Sequence, residues 1–114
     1  MNQADPFADL KKRQREMWAS FTPTAIFTTP VAAHLVTFAG ILSGESVLDV
    51  GTGTGVVAIT AARAGARVTG LDLTPALLDQ ARENARIATM EHIVWMEGEA
   101  EQLPYPDASF DVVV

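Results

Sequence analysis

The chain has 114 residues, 48 % of them hydrophobic, which suits one small domain able to bury roughly 65 % of its unfolded surface. It has no cysteine, and its two histidines, His34 and His92, lie far apart without ligand spacing, so disulfide frameworks and thiolate metal sites are excluded. The net charge is −6, with four basic and four acidic groups in residues 1–45 and four basic and ten acidic in residues 46–114, a balance that repels phosphate backbones and speaks against a nucleic-acid partner.

Residues 7–20 read as a helix with Phe7, Leu10, Met17 and Phe21 on or near one face. Its basic run, Lys11-Lys12-Arg13-Gln14-Arg15, reads as a solvated helix face, with contact to an anionic partner or membrane surface as the alternative. Pro23 and Pro30 punctuate the next stretch of chain, because the residue before a proline avoids helical geometry. Pro30 suits the first turn of a second helix, in which Val31, Leu35, Phe38 and Leu42 recur at i, i+4, i+7 and i+11, with His34 near that stripe. Gly40 and Gly44 loosen its end.

From there strands and helices alternate. Ser46–Val50 reads as a buried strand, Val56–Ala64 as an alanine-rich helix closed by Gly65, and Arg67–Leu71 as a second strand. Thr74 is an N-cap candidate and Pro75 fits the first position of a helix reaching Ile87, with Leu77, Leu78, Ala81 and Ala85 as its inner stripe. His92–Met96 is a third strand, and Phe110–Val114 begins a fourth. Such alternation predicts an α/β fold with parallel strands and right-handed crossovers. No run approaches membrane-spanning length and the N-terminus lacks a charged segment leading into an apolar stretch, so a cytoplasmic protein is expected.

The loop after the first strand is the most informative stretch: Gly51, Gly53 and Gly55 follow Asp49, and Asp72 ends the next apolar run. Glycine permits positive φ and close approach of backbone to a ligand. A strand, such a loop and a helix surround one cavity with amide N–H groups. A carboxylate about 20 residues past the first glycine is placed to accept hydrogen bonds from a ribose diol. An adenosine-bearing ligand is implied. The dinucleotide fingerprint fails, because Val56 stands where glycine or alanine is needed, and no Gly-Lys-Ser/Thr completes a phosphate loop.

The run Asp49-x-Gly51-x-Gly53-x-Gly55 resembles the first motif of the class I S-adenosylmethionine-dependent methyltransferases. The resemblance continues through Leu71-Asp72-Leu73-Thr74-Pro75, through Gly98-Glu99-Ala100-Glu101-Gln102-Leu103-Pro104, and to Asp107 through Val114. In detail the chain is similar to the small-molecule subgroup that includes the ubiquinone and menaquinone biosynthesis methyltransferases, over residues 44–114. The resemblance implies a Rossmann-like parallel sheet with flanking helices in the order 3-2-1-4, preceded by N-terminal helices. Residues 1–45 would form a helical cap segment and residues 46–114 an incomplete S-adenosylmethionine-binding domain. The family's sheet is larger, so the chain is expected to be a truncated part that ends near its fourth strand. The exposed Phe110–Val114 edge would then invite a homodimer.

The same resemblance implies roles for individual residues. Gly51, Gly53 and Gly55, with Thr52, would wrap the methionine moiety and ribose. Asp49 would hold the ligand's ammonium, or else only cap loop N–H groups. Asp72 would take both ribose hydroxyls, Leu73 would lie on the adenine or in the core, and Glu99 would reach the adenine amino group between Gly98 and Ala100. Trp18, Phe21 and Phe27 are candidates to cover the cofactor, a core role being the competing expectation, and Asp111 reads as structural. No catalytic residue and no metal ligand is named. The expected function is methyl transfer to a small-molecule acceptor. The alternatives are a module that holds S-adenosylmethionine without turnover and a nicotinamide-binding domain, the latter disfavoured by Val56 and Asp49.

Overall fold

The computed structural model describes residues 4–114, so the first three residues of the 1–45 segment lie outside the described residues. Four parallel strands form one sheet: β1 (Ser46–Val50), β2 (Arg67–Asp72), β3 (Val94–Glu97) and β4 (Val112–Val113), in the spatial order β3-β2-β1-β4. This is the expected order, with β4 at one edge. The third strand starts two residues later than the apolar run suggested, because its ladder is set by β2: Thr69 pairs with Val94 and Asp72 with Glu97. The fourth has a ladder of only two residues with β1. Asp111 sets its entry, since its carboxylate accepts hydrogen bonds from the Ser46 amide at 2.8 Å and the Ser46 hydroxyl at 3.0 Å. The structural reading of Asp111 thus holds.

The helices are α1 (Ala8–Trp18), α2 (Thr29–Phe38), α3 (Val56–Arg63) and α4 (Pro75–Ile87), with a short 3-10 helix over Thr22–Phe27 between α1 and α2. One core joins Val36 and Ile41 from the N-terminal segment to Val47 and Val68 of the sheet, the alanines 58, 61 and 62 of α3, and Ala85 of α4. The inner stripe of α4 is as read from its spacing: Leu77, Leu78, Ala81 and Ala85 are all buried. Thr74 stands at its N-cap, but no side-chain hydrogen bond caps the helix. The Thr74 amide instead donates to Asp72.

Two helices bury other faces than expected. In α2 the buried residues are Ala32 and Val36. Val31, Phe38 and Leu42 point outward, Phe38 at 90 % exposure, and His34 is exposed as well. Apolar residues on several sides of α2 leave no unique stripe, and close packing on the alanines of α3 selects the side with the small residue. In α1 no side chain is buried; Phe7 is 58 % exposed, and Leu10 and Met17 are exposed too. Among the described residues no helix is long and apolar enough to cross a membrane.

Candidate functional site

Register brings the C-terminal ends of β1 and β2 to one rim, where Val50 lies beside Leu71. Beyond β1 the loop turns through Gly51, Gly53 and Gly55 at φ of 70°, 57° and 84°. The Thr52 amide donates to the Leu71 carbonyl at 2.9 Å, which pins the loop to β2. Asn84 of α4 donates to the Thr54 carbonyl at 3.0 Å, which pins it from the other side. The Asp72 carboxylate is held by two backbone amides, Gly53 to Oδ2 and Thr74 to Oδ1, each at 2.8 Å. A carboxylate has about four lone-pair sites, so each oxygen keeps capacity for a further donor, and its orientation is fixed before any ligand arrives.

A cavity of about 460 Å³ opens at this rim, within the size range of small-molecule sites. Seven of the ten expected residues line it: Gly51, Gly53, Asp72, Leu73, Gly98, Glu99 and Ala100. Leu71, Leu77, Thr74 and Glu101 complete that side. A Cβ at Gly51 or Gly53 would meet no atom within 4 Å, so these positions need glycine for their left-handed backbone and not for packing.

Asp49, Thr52 and Gly55 are placed elsewhere. Asp49 is 5 % exposed and accepts hydrogen bonds from the Thr52 hydroxyl at 2.7 Å and from the Ala58 amide. It therefore caps the loop and the start of α3 from below, the second of its two expected roles, and does not line the cavity. Burial pushes its pKa up to about 6; the bonds from Thr52 and Ala58 oppose that shift, and the nearby Asp72 charge adds to it. Gly55 meets a different neighbour. A Cβ there would stand 2.6 Å from the Trp95 ring, as would one at Gly70, the cross-strand partner of Trp95. The third glycine of the loop seats an indole.

The opposite wall comes from α1 and the segment after it: Gln14, Trp18 and Phe21 line the cavity. Trp18 and Phe21 meet edge to face at 5.5 Å, and the Trp18 indole N–H donates to Gln14 at 2.8 Å. These two aromatics cover the cavity and do not enter the core; Phe27 does neither, at 78 % exposure. The basic run splits. Lys12 and Arg13 are exposed, whereas the Lys11 ammonium reaches Asp5 at 2.8 Å, Glu99 at 2.5 Å and Glu101 at 3.2 Å. The hydrogen bonds from Lys11 to Asp5 and Glu99 hold its ammonium above the ordinary lysine range. Arg15 donates to the Leu73 carbonyl at 3.1 Å. Gln14, which lines the cavity, and Lys11 and Arg15, which contact its residues, are neighbours that the apolar pattern missed. The signal was their spacing with Trp18, at i, i+3, i+4 and i+7 on one helix face.

The methyltransferase-domain family matches residues 47–114, from β1 to β4. The chain belongs to this family. Among relatives of this methyltransferase domain, an uncharacterized protein of Mycobacterium tuberculosis is 45 % identical over 103 residues, 88 % of this chain and 37 % of the relative. The demethylmenaquinone methyltransferase of Tropheryma whipplei is 45 % identical over 75 residues, 66 % of this chain and 30 % of that enzyme. The crystal structure of an RNA methyltransferase from Salinibacter ruber in complex with S-adenosyl-L-homocysteine aligns with a TM-score of 0.61 at 30 % identity, over 65 % of this chain and 50 % of the other. The chain thus spans about a third of the length of these curated relatives.

Proposed function

We propose that this chain is the cofactor-binding part of an S-adenosylmethionine-dependent methyltransferase acting on a small molecule in the cytoplasm. The observation that carries the reading is the convergence of Gly51, Gly53, Asp72, Leu73 and Glu99 on one cavity within a chain of the methyltransferase-domain family. The donor set fits an adenosylated amino acid. Asp72 is oriented to accept from a ribose diol, Leu73 offers apolar surface to a base with Trp18 and Phe21 on the opposite wall, and Glu99 offers an acceptor to an exocyclic amino group. Asp49 and Thr52 serve the site from beneath, by shaping the loop.

When bound, the cofactor supplies a methyl group on a sulfonium, already a good leaving group. The protein's share is then proximity and alignment, worth up to about 7–11 kcal/mol in favourable cases. A base is needed only where the acceptor must lose a proton, and no residue of the chain is assigned that role. A small-molecule acceptor is favoured over RNA by the ten acidic against four basic groups of residues 46–114 and by the likeness to a demethylmenaquinone methyltransferase. The relatives extend well beyond the matched stretch, and the acceptor pocket is proposed to draw on that part of the fold.

The test is thermal stability with S-adenosylmethionine, S-adenosylhomocysteine and NAD added separately. Ligand at about 100 times its dissociation constant adds roughly 2.7 kcal/mol. A rise with the two adenosyl ligands alone is expected; a rise with NAD alone overturns the reading. Asp72→Asn should keep the circular dichroism of the wild type and weaken binding by about 1.5–3 kcal/mol, the worth of a charge-assisted hydrogen bond.

A further inference from the structure

Helix α1 buries no side chain, yet it supplies Gln14 and Trp18 to the cavity wall. What ties it there is polar and centred on one atom. An ammonium has three N–H donors, and the Lys11 nitrogen meets three carboxylates, Asp5 on its own side and Glu99 and Glu101 across the cavity mouth. Both Glu99 and Glu101 line the cavity. Lys11 bonds Oε2 of Glu99, which leaves Oε1 without a side-chain donor among the described residues.

We infer that Lys11 is a positioning residue for base recognition: it locks α1 over the cavity and orients Glu99, so that the free carboxylate oxygen accepts from the exocyclic amino group of the bound nucleoside. The inference rests on the proposed adenosyl ligand. Three carboxylates around one site repel each other, and without the ammonium Glu99 swings toward water. Arg15, one turn further along α1, bonds the carbonyl of Leu73, the residue expected against the base. Two cations of one helix therefore hold two residues of one base pocket, and ligand binding and α1 docking strengthen each other.

The experiment is calorimetric titration of the whole chain with S-adenosylhomocysteine and with S-inosylhomocysteine, in which an oxo group replaces the amino group. The variants are Lys11→Met, Lys11→Arg, Glu99→Ala and the double variant Lys11→Met/Glu99→Ala. The wild type should prefer the adenosyl ligand by roughly 10- to 100-fold, as expected for a hydrogen bond to a charged acceptor. Lys11→Met should lose most of that preference with an unchanged melting temperature, Lys11→Arg should keep much of it, and the double variant should be no worse than Glu99→Ala. Equal weakening of both ligands in Lys11→Met would show Lys11 to be structural only and overturns the inference. Tighter adenosyl binding in that variant would show that Lys11 competes with the ligand, and overturns it too. Adenosyl binding by the wild type with a preference insensitive to Lys11 sinks the inference alone, whereas a wild type that binds neither ligand removes the proposed function with it.

Discussion

Helices α1 and α4 both wall the same cavity, and they are held there by opposite kinds of force. Helix α4 buries Leu77, Leu78, Ala81 and Ala85, and each such side chain contributes through apolar area removed from water, at about 25 cal/mol per Å². Helix α1 buries nothing and is tied by the contacts of Lys11 with Glu99 and Glu101 and of Arg15 with the Leu73 carbonyl. Burial is non-directional and insensitive to salt screening, whereas ion pairs at the mouth of a cavity are directional and open to screening. The side that must hold the sheet together is therefore built from hydrocarbon. The α1 side of the cavity mouth is held by charge without buried side chains, which puts it at the low-stability end of the structure.

The contrast between the two helices breaks most visibly at Leu78, which is 2 % exposed. Leu78→Ala should cost about 2–5 kcal/mol in chemical denaturation, and a much smaller loss would mean that α4 is not held by the core. Gly55 and Gly53 sharpen the difference between packing and ligand approach. Both have positive φ, so alanine costs about 1–2 kcal/mol of backbone strain at either. At Gly55 it must also displace the Trp95 ring, while at Gly53 it meets open space. Gly55→Ala should lose more in melting temperature and Gly53→Ala more in S-adenosylhomocysteine affinity; the reverse order would contradict the assignment of both.

Asp49 offers a test by pH. Its pKa is about 6 in the folded chain against an ordinary aspartate value of 3.8, so the folded state takes up a proton that the unfolded state has released. The sign is that of a raised carboxylate: stability falls as pH rises from about 4 to 6 and then stays level, by roughly 2–3 kcal/mol. Asp49→Asn should abolish that fall. Urea midpoints at pH 4.5 and 7.5 that shift equally in both proteins would contradict its burial as a charge. The smallest effect concerns α1. Raising salt to 1 M, where the screening length is about 3 Å, should speed amide hydrogen exchange over residues 8–18 and leave 75–87 unchanged.

Local patterns in the sequence determined the α/β class, the bounds of β1 and α4, the left-handed glycine loop and the place of Asp72 at the strand end. Each rests on features within a few residues: alternating apolar runs, Pro75 at a helix start, glycine where φ is positive. Of the seven expected residues that line the cavity, Gly51, Gly53 and Asp72 belong to this class, whereas Leu73, Gly98, Glu99 and Ala100 are implied by the family resemblance. All meet because the ends of parallel strands in register share one rim. Only the tertiary structure decided which face of α2 and α1 turns inward, since a helix apolar on several sides and a mixed one each offer several faces and the neighbour selects one. Only it put Asp49 and Thr52 beneath the loop, and set the Trp95 ring over Gly55 and Gly70. Lys11 and Glu99 are 88 residues apart in sequence. No local periodicity encodes such a pair, because an ion pair is chosen by where the charges end up in space.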